Sequence, residues 1–351
     1  MNKKLLAAAI AAAVVAAPAA FAESVVYGKI HTSFDTTDME SYDVDNNELN
    51  SRASRLGFKG SEDLGNGLKA IYQIELQVNS DGGGKGQSGA NSGLGNSSRN
   101  TFVGLSSDWG TVLAGRHDTP MKVAFYASGN EILGDSVLDL NLGNNLSWSR
   151  SKGAPIGVFH EYRASNAVAY ISPSFAGFTL AGAIIPGEDT KSQNAEGDGP
   201  ADHYSVGAMW GASGLKASGG YTMYNTDSND PGTDDIDVWQ VGASWTGNAF
   251  HIGAEYEDTS NAGFVDGQDY SAWAVTGKFT FGNNAVGAVY TDAEMDNQYD
   301  SSGWGVSAEH NFSKRTKVYA AYADNTLDYK KAAGGGSDDD QVFSLGMIHD
   351  F

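Results

Sequence analysis

Six of the seven arginines in this 351-residue chain, Arg52, Arg55, Arg99, Arg116, Arg150 and Arg163, fall before residue 164. The chain has only 22 Lys and Arg against 43 Asp and Glu, and the carboxylates run through its whole length. A polar segment, residues 118–165, lies within this basic half and carries Asp118, Glu131, Asp135, Asp139 and Glu161. Fixed guanidinium and carboxylate groups make a field that attracts and orients charged or dipolar solutes; alone they break no bonds. Groups that would are missing from the pattern. With no Cys there is no thiol chemistry, disulfide or Cys-bound zinc. Neither G-x-S-x-G nor H-E-x-x-H occurs, and the seven His are scattered without ligand spacing. Gly84–Gly89 (GKGQSG) satisfies G-x-G-x-x-G, yet sits in a Gly-rich stretch with no helix following, and reads as loop. Asp227–Gly232 (DSNDPG) puts Pro231 at a calcium-ligand position and lacks the closing Glu. No cofactor, metal or catalytic set is expected. A net charge of −21 also excludes nucleic acid, which needs a basic face.

The elements that must position these charges are strands. From Ser24 onward the polarity alternates with period two: Val26, Gly28, Ile30, Thr32 and Phe34 against Tyr27, Lys29, His31, Ser33 and Asp35. The same holds for Leu68–Gln77, Val238–Trp245 and Phe250–Glu257. Tight-turn chemistry recurs at Asp63–Gly67, Ser106–Gly110, Ser172–Gly177, Gly211–Gly214, Thr246–Asn248, Phe281–Asn284 and Asn311–Thr316. Longer polar stretches lie between them, near 36–50, 80–98, 118–165, 187–201, 226–236, 259–268, 293–301 and 327–340. Short and long connections alternate strictly, which predicts sixteen antiparallel strands with turns on one side and loops on the other: a transmembrane β-barrel, all-β.

Aromatic spacing agrees. Tyr204/Trp210, Trp239/Trp245, Phe250/Tyr256, Trp273/Phe279, Trp304/Phe312 and Phe343/Phe351 are same-face pairs six or eight residues apart. On tilted strands that spacing covers roughly 15–20 Å of membrane normal, close to the separation of two aromatic girdles.

Residues 1–22 read as a secretory signal: Lys3 and Lys4, an apolar run from Leu5 to Ala17, and Ala20-Phe21-Ala22 as an A-x-A site. Cleavage between Ala22 and Glu23 is expected, leaving a barrel over residues 23–351.

Ser54–Gly60 (SRLGFKG) followed by DLGNG, together with Tyr27-Gly28-Lys29, Ser98–Leu105, Gly115–Pro120 and Asn166–Phe178, resembles the Gram-negative general diffusion porins. The arrangement is nearest the neisserial and β-proteobacterial branch. The resemblance implies a homotrimer of 16-stranded barrels whose third loop folds inward and narrows a water-filled channel for ions and small hydrophilic solutes. That loop is Asp118–Ser165, by far the longest connection. Glu131–Asp135 matches its tip loosely, so Asp118, Glu131, Asp135 and Asp139 are the expected acidic side of the constriction. Lys29, Arg55, Lys59, Arg99, Arg116 and Arg163 are the expected basic wall; Arg52 falls on the outward parity. Phe351 resembles the terminal signature read by the barrel-assembly machinery. Acidic loops such as Asp35–Glu48 and Ser337–Asp340 are solvated or bridge divalent cations to lipopolysaccharide. From net charge and the loop carboxylates, a mild cation preference is expected. A substrate-selective channel with a saturable site and an outer-membrane barrel enzyme are the alternatives; the first wants an aromatic slide or basic ladder, the second a Ser or Asp with His at the rim.

Overall fold

The computed structural model describes residues 23–81, 93–142, 154–187, 200–226 and 231–351. The proposed signal with Ala22, and Arg150, Gly84–Gly89 and Asp227–Asp230, lie outside the described residues. One antiparallel sheet runs through the whole chain. Its strands are β1 (Glu23–Met39), β2 (Val44–Ser51 continuing as Arg55–Gly65), β3 (Leu68–Asn79), β4 (Gly93–Ser107), β5 (Gly110–Asp118), β6 (Arg163–Ile171), β7 (Phe178–Ile185) and β8 (His203–Ala212). The second half comprises β9 (Leu215–Tyr224), β10 (Ile236–Thr246), β11 (Phe250–Ser260), β12 (Tyr270–Phe281), β13 (Asn284–Met295), β14 (Tyr299–Asn311), β15 (Thr316–Tyr329) and β16 (Ser337–Asp350). Each strand pairs with its sequence neighbour, and β16 returns to β1 from Lys29↔Asp350 to Met39↔Asp340, so the sheet closes without an edge.

Sixteen strands are therefore present, the second in two segments with Arg52–Ser54 between them and Ala53 at φ 45°. The seven tight turns fall where expected. Two outer connections are much shorter than the composition suggested: β1 and β2 are joined by Glu40–Asp43, and β13 and β14 by Asp296–Gln298. The Asp- and Asn-rich stretches 36–50 and 293–301 are mostly strand. Above the membrane both faces of a strand meet water, so ladder hydrogen bonds form without the alternation that marks a strand in sequence.

Across the bilayer the alternation is kept. On β1, His31, Ser33 and Asp35 are buried inward while Ile30 and Phe34 are exposed outward. The outward aromatics form two belts. Trp239–Tyr256, Trp273–Tyr290 and Trp304–Tyr322 contact one another across strands near the loop end, at 5.2, 5.3 and 5.4 Å between centroids. Phe178–Trp210 and Phe250–Phe279 do so near the turn end, at 6.1 and 4.7 Å. The Trp and Tyr rings, each with an apolar body and a polar handle, settle at the water–lipid boundary, and the Phe-rich belt marks the other edge of the apolar band. No helix among the described residues is long and apolar enough to cross a membrane; the strands do so.

The core is the third loop packed on the inside of the wall. Thr119-Pro120 starts α1 (Pro120–Ser128): Thr119 Oγ1 accepts from Lys122 N at 3.4 Å, and Pro120 occupies a first-turn position that needs no donor. Gly129 ends it at φ 81°. Met121, Phe125, Val137, Leu138, Leu140, Ile156 and Phe159, the apolar residues set among the loop's polar ones, are all buried. Their shared face rests on β8 to β14. Met121 N donates to Ser205 Oγ (3.1 Å), Ser244 Oγ to Ser128 O (2.6 Å), His160 N to Glu257 Oε2 (2.7 Å), and Tyr270 Oη to Val158 O. Wall glycines admit the loop closely. A Cβ on Gly207 would lie 2.4 Å from Pro120 O, on Gly220 2.7 Å from Met121 Cα, and on Gly305 2.2 Å from Leu138 Cδ2.

Candidate functional site

From its seat on β8–β14 the loop reaches across to the early strands. Asp135, at φ 58° in the loop's sharp bend, lies 3.4 Å from Lys29 Nζ and 3.7 Å from Arg55 Nη2. Lys29 and Arg55 face each other in register on β1 and β2, which is why one carboxylate serves both. Burial alone would raise the Asp135 carboxyl, but Arg55, then Lys29, outweigh it and hold the group below its usual range. Beside this bridge, Arg99 Nε donates to Glu75 Oε1 at 2.6 Å, and Tyr27 Oη to Glu75 Oε2 at 2.9 Å. Lys59 Nζ stands 5.0 Å over the Tyr27 ring.

A second contact between loop and wall forms where the loop leaves β5. Asp118 takes Arg163 Nη2 at 2.9 Å and Lys122 Nζ at 3.4 Å, and Lys122 also reaches Glu161 at 3.3 Å. Glu161 accepts from Tyr126 Oη (2.8 Å) and Asn141 Nδ2 (2.7 Å). Burial dominates and pushes its carboxyl up to about 7, against the pull of Lys122.

The structure thus brings together Lys29, Arg55, Lys59, Arg99, Arg163, Asp118 and Asp135 of the expected set. Glu131 and Asp139 turn back into the loop instead. Glu131 Oε1 accepts from Leu140 N (2.9 Å), and Asp139 from Asp135 N and Asn141 N (both 2.9 Å). Burial, then Asp139, raises Glu131 well above its usual range; burial, then Asp135, raises Asp139 to about 6. These two act as staples that shape the bend.

Two arginines depart from their expected placement. Arg116 was expected on the basic wall, but it shares the outward face of β5 with Val112 and donates to Ser98 O (2.9 Å) and Ser165 Oγ (2.6 Å). Arg52 was assigned outward, but the break in β2 turns it in, onto Asp35 at 2.5 Å and Ser33 Oγ at 3.0 Å. Asp35 also accepts from Asn50 and Ser344 (both 2.6 Å), joining β1, β2 and β16. Lys122 and Glu75 were not singled out in sequence. Glu75 lies on the polar parity of β3, a signal open to use; Lys122 depends on where α1 starts and has none.

Residues 7–346 match the Gram-negative porin family. The chain is a Gram-negative porin. It is 30% identical to the major outer membrane protein P.IB of Neisseria gonorrhoeae over 91% of this chain and 92% of the relative. It is 27% identical to the P.IB protein of Neisseria lactamica over the whole of both. Among solved structures it resembles the anion-selective porin from Comamonas acidovorans, with TM-score 0.73 and 20% identity, covering 94% of this chain and all of that one. It also resembles a Salmonella typhi OmpF complex with daunomycin, with TM-score 0.67 and 15% identity, covering 94% and 98%. As a porin it lies in the outer membrane and passes solutes by passive diffusion through a water-filled barrel.

Proposed function

We propose that the aperture of this porin lies between the loop and the wall, bounded by Asp135–Lys29–Arg55 at one end and Lys122–Asp118–Arg163 at the other. Solutes would pass Arg99, Glu75 and Lys59. The observation that carries this is the reach of Asp135 across the barrel to β1 and β2. Opposed fixed charges in a narrow wet passage orient water and dipolar solutes and disfavour apolar ones.

The charge balance favours anions at the aperture. Among the described residues, six cations (Lys29, Arg55, Lys59, Arg99, Lys122, Arg163) meet three carboxylates, Glu75, Asp118 and Asp135. Of the other loop acids, burial raises Glu131 well above its usual range, Asp139 to about 6 and Glu161 to about 7, so they contribute less negative charge than exposed carboxylates. This reverses the cation preference expected from net charge, because most carboxylates stand on the outer strand extensions and loops. At 0.1 M salt the Debye length is about 10 Å, so those distant charges are largely screened at the aperture. Reversal potentials of the refolded protein in a planar bilayer test this; a clear cation preference in about 0.1 M KCl would overturn it.

A homotrimer is proposed from the resemblance, with a heat-sensitive oligomer band on an unheated gel as its test. Residues 1–22 are proposed as an export signal, read by N-terminal sequencing of the protein from membranes. Phe351, whose backbone pairs with Gly28 at 3.0 and 3.1 Å, is proposed as the assembly signal. Divalent bridges from the acidic loops to lipopolysaccharide are proposed likewise; a chelator that leaves the oligomer and its bound lipopolysaccharide unchanged counts against them.

A further inference from the structure

The outer wall carries two apolar grooves of similar size that differ in what stands at their periplasmic ends. One, about 690 Å³, runs over β11–β13 between Phe250, Ile252, Phe279 and Tyr290. The turns below it, Thr246–Ala249 and Phe281–Asn284, bear no charge. The other, about 720 Å³, crosses β14, β15, β16 and β1. Ala308 and Ala320 form its floor, with Phe34, Val318, Leu345 and Met347 standing around them. Register explains the hollow: Ala308 pairs with Ala320, and Ala320 with Leu345, so two small residues meet side by side on a lipid-facing surface.

The turn closing this second groove, Phe312–Arg315, holds Lys314 and Arg315, both exposed and in no ion pair among the described residues. It is the one periplasmic turn with basic residues at its tip; Asp63–Gly67 and Ser106–Gly110 are acidic and the rest neutral. Two outward histidines stand beside it. His310 Nδ1 donates to Asn284 Oδ1 at 2.8 Å, and His349 Nδ1 meets Thr316 Oγ1 at 2.9 Å, which fixes both rings beside the turn. From Thr316 to Ala320 is four residues, about 13 Å along the strand, a span that a phospholipid covers from its phosphate into the upper acyl chain. An apolar trough with cations at the headgroup level attracts a negative lipid over a zwitterionic one.

We propose that this groove is a binding site for an anionic phospholipid of the periplasmic leaflet, its phosphate at Lys314 and Arg315 and one acyl chain over Ala308 and Ala320. The test is native mass spectrometry of delipidated, folded protein titrated with dioleoyl-phosphatidylglycerol or dioleoyl-phosphatidylcholine. The tightest adduct should prefer phosphatidylglycerol, and Lys314→Ser/Arg315→Ser should cut that preference about thirtyfold at low salt, on the contribution expected of two basic residues at a membrane surface. Ala320→Phe, which fills the trough, should remove the tight adduct for both lipids, with conductance unchanged as the folding control. An undiminished preference in the double variant overturns the headgroup assignment, and an undiminished adduct in Ala320→Phe overturns the groove. Disulfide-linked dimers of Ala308→Cys would show a second copy in the groove, and would overturn the lipid as its occupant.

Discussion

Replacing Arg55 by Gln removes one charge from the aperture and leaves the neighbouring geometry in place. Lys29 at 3.4 Å and the more distant Arg99 still draw Asp135 toward its charged form. A monovalent ion passing at about 6 Å in water interacts with the guanidinium by about 0.7 kcal/mol, which 0.1 M salt reduces to about 0.4 kcal/mol. That energy raises cation occupancy about twofold and lowers anion occupancy about twofold, so the cation-to-anion permeability ratio rises about fourfold. In 1 M salt the Debye length falls to about 3 Å and the change shrinks below about 1.5-fold. Reversal potentials across a KCl gradient measure both. Arg55→Lys should leave the ratio unchanged, and so should Arg116→Gln, whose side chain faces away from the lumen. A ratio that moves less than twofold at low salt, or equally at both salts, refutes the electrostatic reasoning and points to aperture shape.

Raising the pH from 6 to 8 ionises Glu161, whose carboxyl is pushed up to about 7, and adds negative charge beside Lys122; the cation-to-anion ratio should climb over that window, and climb less in Glu161→Gln, where only the tail of Asp139 remains. Because burial raises that carboxyl above its unfolded value, its contribution to stability falls as pH rises from about 4.5 through 7; unfolding in urea should need less denaturant at pH 8 than at pH 5, and less of that difference in Glu161→Gln. Asp35→Asn removes the buried partner of Arg52 at the β1–β2–β16 junction and should cost about 3 kcal/mol, seen as a lower unfolding temperature with selectivity preserved. Gly207→Val places atoms against Pro120 O, so α1 must move off the wall toward the pore axis; single-channel conductance should drop, and an unchanged conductance would show that the wall yields instead.

Much of this was legible in the sequence because a membrane barrel writes its inside and outside on alternate residues. Lys29, Arg55 and Lys59 could be placed by parity alone, as could the outward aromatics. Parity fails where register does. The break at Arg52–Ser54 inverts Arg52, and the bulge between Gly115 and His117 accompanies the outward turn of Arg116; neither has a strong local signature. Strand length was misjudged at 36–50 and 293–301, since alternation marks a strand only where lipid lies on one side. Within the loop, Glu131 and Asp139 looked like pore carboxylates by type, and only the fold shows that backbone amides claim them.

The seat of the loop has a consequence for how the channel changes over time. At Gly207, Gly220 and Gly305 the wall supplies clearance, so the bore is gauged by what is missing on the side opposite the charges. Nothing smaller than glycine exists, and a larger residue there presses on the loop from the wall side. Drift at these three positions therefore runs in one direction, toward a narrower channel, while selectivity varies independently on β1 to β6.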